Sequence, residues 1–441
     1  MTDFAYQGYG ANATGGEGGT TYTVTNETDL KTRLEQAGAK IVQFTGQIEV
    51  TSQIDISADT TFRAVPGKWA EIKSGSALTV PPIRIQTNNH IIERIAFRAG
   101  DTTANTAQDS LQINGGTNVM VNRCSLMWAA DENVSCTNSA SNVTFQWCII
   151  AEPLVDPYAA GSNGLGMLLG SSSTNISVHH CLFVNNAGRN PRIAIVGPVE
   201  LICNTIFNPG DHPTTTAGNA EIDLVKCHYI RGTDSNRDWI IQHDATDTIF
   251  YTGNTCSGCG TFVAVETDPG SAGSRQASPP VAITEEATAQ LAHEAVLANA
   301  GTGDMTDQRV IKTVVDETSN YIDFPSDVGG YIDITNTLGF KVISLQTSVA
   351  SPEYQLAIVE FYEEDNLVHT DSFDFILDTT DRWLSFRAMI DRFVANNSAL
   401  LTGSATDNRD TDHSLDTDDP NGWLADKGMI SFQTDGLIQV S

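Results

Sequence analysis

Apolar residues alternate with polar ones in a block that recurs along the middle of the chain. Each copy opens on an Asn, in three of the four followed by an apolar residue, and closes on an apolar residue, in three of the four as part of an apolar doublet. The copies run from Asn89 to Phe97 (NHIIERIAF), Asn118 to Leu126 (NVMVNRCSL), Asn142 to Ile150 (NVTFQWCII) and Asn175 to Phe183 (NISVHHCLF). Their starts lie 24 to 33 residues apart, an irregular repeat within the range of stacked coils. The internal period is close to two, so each copy predicts a strand with alternate side chains pointing inward. A copy this short cannot bury its own apolar face. Copies running in the same direction stack as parallel rungs, which predicts an all-β solenoid, a right-handed single-stranded parallel β-helix. The seventh position carries Ile95, Cys124, Cys148 and Cys181, a column of small, soft side chains suited to a stacked core. A further rung is expected at Val199–Ile206, with Asn204 in the column and Cys203 one place out of register. The leading Asn residues suit turns, because Asn tolerates left-handed backbone.

The flanks read differently. Glu27–Gln36 carries Leu30 and Leu34 on one face and predicts a helix, capped by Thr25 or Asn26, that covers the open end of the solenoid. First strands follow at Ile41–Phe44 and Gln47–Thr51, and rungs occupy roughly 80 to 260, with longer loops at 101–108 and 155–166. Residues 265–282 are rich in Pro, Gly and Ser and read as a connector. A helix is expected over Thr284–Asn299, capped by Thr284 and closed by Gly301. Beyond Gly330, Tyr354–Tyr362 and Val368–Ile376 read as a β-hairpin, Leu384–Val394 as an amphipathic helix, and Asp407–Asp419 as an acidic, solvated connector. The expected organisation is a solenoid with its cap over 1–331 and a small α+β accessory or attachment domain over 332–441.

Charge narrows the partners. Against 24 Lys and Arg stand 54 Asp and Glu, a formal charge of −30, which repels nucleic acid and anionic membranes and suits saline water. No run approaches the ~20 apolar residues of a membrane span, so no membrane insertion is expected. The N-terminus shows neither a basic region nor an apolar stretch of a secretory signal, which leaves export by another route, a removed leader, or release as part of a particle. Of the eight Cys, three share the rung column and read as buried thiols, although stacked rungs lie within bridging distance. Cys256 and Cys259 form a lone CxxC in a polar loop, read as a local disulfide or an unpaired turn rather than zinc ligands.

Three segments, Asn122–Glu132, Gln146–Leu154 and His180–Arg192, are similar to successive rungs of family 1 pectate lyases. The Gly-rich opening, Gly8–Ala11 and Gly15–Gly19 with Tyr22–Thr25, and the later Asp307–Val310 and Asp327–Tyr331 resemble the two ends of bacterial members. The likeness covers about residues 6 to 331. It implies a right-handed parallel β-helix and calcium-dependent β-elimination of an acidic polysaccharide. By that resemblance Asp109, Asp131 and Glu132 are the carboxylates expected to hold Ca2+, with Ser135 near the place of a further acid. Arg189 takes the position of the proton-abstracting Arg, and Arg192 partly stands in for a second cation that has become Ala194. Trp128, Glu152 and Arg123 are expected to engage substrate. The alternative for the acids is a solvated rung edge, and for Arg189 a structural guanidinium bonding turn carbonyls.

The sequence also departs from the family. Asn122 and Arg123 replace the Asp-His of its tryptophan-initiated strand motif, the segment expected to carry a substrate-binding Lys reads IAEPL, and no Lys stands between Lys73 and Lys226. The expectation is therefore a β-helical protein that binds and cleaves an acidic polysaccharide, outside the cell or on a virion surface as a phage tail spike, in company with virion proteins or further copies of itself. The alternatives are a non-catalytic adhesion subunit that keeps the fold and a plain secreted lyase.

Overall fold

The computed structural model describes residues 4–100, 108–157, 164–259, 274–318 and 320–331, together with the backbone of strands within 338–348, 351–363, 366–376, 431–432 and 438–439. The chain separates into two units, Met1–Thr302 with Thr313–Gly330, and Gly303–Lys312 with Tyr331–Ser441.

The first unit is a right-handed parallel β-helix, as the repeat predicts. Every full coil sends one strand in turn to an eight-stranded, a ten-stranded and a nine-stranded parallel sheet. One coil supplies Leu111–Asn114, Thr117–Asn122 and Ser125–Met127, and the next supplies Glu132–Thr137, Ser141–Gln146 and Ile149–Ala151. Register in the ten-stranded sheet sets Val119, Val143, Ile176, Val199, Ile222 and Ile249 in one row. These side chains are buried in a single core, each contributing about 1.5–3 kcal/mol by leaving water.

Corners of the coil are made by left-handed residues. Asn89, Asn118, Asn142 and Asn175 have φ of 68°, 56°, 53° and 57°, the conformation anticipated from the residue type. Their amides also form a ladder: Asn142 Nδ2 donates to Asn118 Oδ1 (3.2 Å) and Asn175 Nδ2 to Asn142 Oδ1 (3.0 Å). A second left-handed column joins the ten- and nine-stranded sheets through Arg94, Arg123, Trp147, His180, Cys203 and Lys226. A third follows the nine-stranded sheet at Trp128, Glu152, Asn185 and Asn208.

The thiol column is present. Cys124, Cys148 and Cys181 are buried, unbridged and directed at the carbonyls of residues 122, 146 and 179. It continues through Asn204, Cys227 and Asn254. Each Asn replaces the thiol by accepting a main-chain N–H from the preceding coil and donating to a carbonyl, as when Asn204 joins Cys181 N (2.9 Å) to Val178 O (2.8 Å). Cys256 and Cys259 form a local disulfide.

The cap helix runs Glu27–Glu35, with Asn26 accepting from Asp29 N (2.9 Å) and Leu30 and Leu34 fully buried. Residues Tyr9–Asn12 lie on the outer face of the ten-stranded sheet, where Gly10 comes so close that a Cβ would stand 2.3 Å from Val119 O. The later helix differs from expectation. It starts at Ala289, capped by Thr288, because Thr284 is engaged in a reciprocal pair of bonds with Gln7 (2.9 and 3.0 Å). A second helix spans Met305–Val315. Among the described residues no helix is long and apolar enough to cross a membrane. In the second unit Ser351–Glu363 and Asn366–Ile376 form the anticipated antiparallel pair, and Leu338–Ser348 adds a third strand. The helix expected at Leu384–Val394, the acidic connector, the loop at 101–107 and the first half of the connector at 265–282 lie outside the described residues.

Loss of one ladder amide is expected to destabilise the solenoid measurably. Asn142→Ala forfeits two hydrogen bonds at about 1 kcal/mol each and forces Ala into a left-handed turn at about 1–2 kcal/mol. Asn142→Gly forfeits only the bonds, so its denaturant midpoint should fall between wild type and Asn142→Ala. Equal midpoints for the two variants would remove the conformational part of the argument.

Candidate active site

The acids meet at the entry to the eight-stranded sheet. Asp131 N–H donates to Gln108 O (3.2 Å) and Ser110 N–H to Glu132 O (3.4 Å), which sets Asp109 of one coil beside Asp131 and Glu132 of the next. Oxygens of the three carboxylates all lie within 4.8 Å of one another. Asp109 and Glu132 are buried and Asp131 is half-buried. Ser135 donates to Asp109 Oδ2, and Gln112 Nε2 adds a longer bond of 3.4 Å.

Arg189 arrives two coils later, in a left-handed turn (φ 61°) ahead of the strand Arg192–Ala194, and its guanidinium pairs with Glu132. The turn is held from both sides. Met167 N–H donates to Arg189 O (2.8 Å), and Gly166 permits that approach, since a Cβ there would stand 2.6 Å from the same oxygen. On the other side Asn190, which precedes a cis Pro191, accepts from Asn186 Nδ2 (2.9 Å) and donates to His212 O (3.0 Å).

Electrostatics mark this group as frustrated. Burial, opposed by the Ser135 hydroxyl and reinforced by the charge of Asp131, pushes the Asp109 carboxyl up to about 7. Burial raises Asp131 as well, against the pull of Arg189. Arg189 is lowered, first by burial, with Arg192 repelling it and Asp131 and Asp109 working the other way. Three carboxylates against one guanidinium in so little water favour either a shared proton or a second cation.

Beside the cluster runs a groove of about 390 Å³, with Arg189, Arg192, His212, Thr215, Gln242 and His243 among its walls. Its floor follows the sheet register, which places Gln112, Ser135, Leu168, Arg192, Thr215 and Gln242 in one row. Arg192 is exposed there, two coils from Ser135 with Leu168 between them. Sequence reasoning missed His212, Gln242 and His243, because strands as short as Ile241–Gln242 carry no pattern from which to count register.

Trp128, Glu152 and Arg123 are not brought to the groove. Trp128 is fully buried, with Nε1 donating to Glu152 Oε2 (3.3 Å) and the Arg98 guanidinium over its ring, and Glu152 is equally buried. Both stand in the turns leading into the eight-stranded sheet and support it from within. Arg123 is buried at another corner of the coil, over the ring of Phe4.

No protein-family model matches the chain. It is similar to an Aspergillus oryzae protein named probable pectate lyase C, 28% identical over 243 residues covering 52% of this chain and 54% of that one. The chain thus spans about half the length of the curated relatives it matches. Among solved structures it superposes on a pectate lyase described by its anti β-elimination mechanism, with 17% identity and a TM-score of 0.54, and on a pectate lyase bound to a hexasaccharide, with 16% identity and a TM-score of 0.54. Each covers 69% of this chain and 98% of its own. The chain is a parallel β-helix protein similar in sequence and fold to pectate lyases.

A pH dependence of stability follows. The folded Asp109 carboxyl, raised from 3.8 to about 7, keeps its proton where the unfolded one has lost it. The stability this contributes is complete below about pH 4 and is lost as pH rises through about 7. Glu200, also raised to about 7 by burial, acts with the same sign. In chelator the melting temperature of wild type should fall over this window, and that of Asp109→Asn should fall less. Equal slopes would contradict the burial of an uncompensated Asp109.

Proposed function

We propose that this protein binds and cleaves an acidic polysaccharide by β-elimination, with Ca2+ as its cofactor, outside the producing cell or on a virion surface. The observation that carries the reading is the convergence of Asp109, Asp131 and Glu132 beside Arg189 at the edge of a groove. The donor set is all carboxylate oxygen, which fits a hard divalent cation, and the burial that raises the Asp109 carboxyl supports a counter-charge at this place. Asp109, Asp131 and Glu132 would hold Ca2+, which when bound would supply positive charge that offsets a uronate carboxylate and acidifies the adjacent C–H.

The chain's own residues supply the rest. Arg189 accepts the C–H proton, a role that burial favours by lowering its pKa. The electron pair moves into the ring as the glycosidic C–O bond breaks, and the leaving oxygen takes a proton from water. Arg192, exposed on the groove floor, faces the charge that develops on the uronate. Trp128 and Glu152 fix the turns on which Asp131 and the following strand sit. Residues 332–441 would serve as an accessory or attachment domain, and virion proteins or further copies of the chain as its partners.

A second reading, a glycan-binding subunit without catalysis, is favoured by two observations. Arg189 is engaged with Glu132, and the stretch from Lys73 to Lys226 holds no Lys between them to share the enolate charge.

Incubation with polygalacturonate and other uronate polymers, with calcium or with chelator, separates the readings through the ultraviolet absorbance of the unsaturated product. Calcium-dependent product is expected; none on any uronate, with glycan binding intact, would leave the second reading. Arg189→Ala should lower the rate by about 10²-fold or more while glycan binding persists, and full activity would place the base elsewhere. Calcium should raise the melting temperature of wild type and not that of the Asp109→Asn, Asp131→Asn double variant. Equal protection of both would move the metal to other ligands.

A further inference from the structure

A second ligand cluster lies at a different corner of the solenoid, between the ten- and nine-stranded sheets. His180 and Cys203 occupy the same left-handed turn position on consecutive coils (φ 52° and 56°), so their side chains stack. Glu286 reaches them from the segment that returns over this corner. One ligand atom from each of the three lies within 4.8 Å of the other two.

Both partners of the meeting are fixed. The returning segment is anchored on one side by the Thr284–Gln7 bonds and on the other by Lys226, whose Nζ donates to Glu286 O (2.5 Å) and pairs with Glu285 (3.3 Å). The His180 ring is stacked on Trp147 at 4.3 Å. Its Nδ1 meets His179 Nδ1 at 2.8 Å, leaving Nε2 aimed at Glu286 Oε2, 2.7 Å away. His179 is buried, and its Nε2 has no hydrogen-bond partner. A ring nitrogen held by a neighbour while the other faces a carboxylate and a thiol is the arrangement by which proteins orient a metal-binding imidazole. His180 and Cys203 are buried, whereas the Glu286 side chain keeps 24% of its surface exposed, which gives an ion a way in and a water a fourth position.

We propose that His180, Cys203 and Glu286 form a binding site for a borderline-soft divalent transition ion, zinc by its chemistry, that fastens the 284–286 segment onto the solenoid. The mixed sulfur, nitrogen and oxygen set suits zinc and excludes calcium, which takes oxygen alone. Binding releases the Cys203 thiol proton to solvent. For Nε2 of a neutral His180 to bind, its proton shifts to Nδ1, which then donates a hydrogen bond to the unprotonated His179 Nδ1, so that the one proton of a neutral His179 sits on its Nε2. The site is independent of the groove chemistry and stands or falls separately from it.

Cobalt(II), added without reductant to the chelator-treated, dialysed full chain, serves as the probe. One equivalent should produce a sulfur-to-cobalt charge-transfer band that zinc abolishes by displacement. The band should vanish in Cys203→Ser and persist in the Asp109→Asn, Asp131→Asn variant. Because Cys256 and Cys259 are joined, they do not supply the thiolate. Should Cys203→Ser fail to fold, Glu286→Gln, altered at a partly exposed side chain, should weaken cobalt binding at least tenfold. No charge-transfer band in wild type, an undiminished band in Cys203→Ser, or an unchanged cobalt affinity in Glu286→Gln would overturn the proposal.

Discussion

Parallel stacking of one coil directly on the next is the constraint on which the molecule depends. It turns residues far apart in sequence into neighbours: Asp109 beside Asp131 and Glu132, and Asn118, Asn142 and Asn175 in one amide ladder. Stacking holds only if each coil closes at the same angles, and left-handed residues at its corners ensure that. Non-glycine residues are costly in that conformation, so their recurrence at equivalent corners reflects a fold that over-determines them. Asn tolerates the geometry and bonds along the stack, whereas Arg123, Trp128, Glu152 and His180 adopt it while burying their side chains against neighbours.

The same stacking sets the chemistry of the two clusters. In the groove it concentrates negative charge: Asp109 is short of counter-charge because the ladder gives it two acidic neighbours and only part of one guanidinium. At the opposite kind of corner it brings a histidine and a cysteine from successive coils together, with a carboxylate laid over them. One cluster is built of hard oxygen donors and the other of mixed donors. As proposed cation sites, the two would select different classes of ion through side-chain identity alone.

Much of the architecture was legible in the sequence, and the reason is local. In the ten-stranded sheet four strands carry an Asn at their opening, Asn89, Asn118, Asn142 and Asn175, followed by alternating buried positions, so register can be counted along them from the sequence. The thiol column and its interruption at Asn204 followed from that count. Asp109, Asp131, Glu132 and Arg189 were reachable because they lie close to motifs in the chain. The groove floor was not, since Thr215 and Gln242 are set by turns of varying length between short strands. The helix start was misplaced for a related reason: Thr284 has a capping residue's chemistry, but its partner Gln7 is 277 residues away. Trp128 and Glu152 look like surface recognition residues in the sequence, and only burial reveals them as supports for the turns.

The central claim is that Asp109, Asp131 and Glu132 form one cation site whose buried acid must give up a proton to receive calcium. Calcium titration calorimetry near pH 6.5, in two buffers of different ionisation enthalpy, tests it directly. The account predicts saturable binding whose heat depends on the buffer through proton release, with that dependence gone in Asp109→Asn. Calcium heats absent from wild type, or independent of buffer in both proteins, would contradict it.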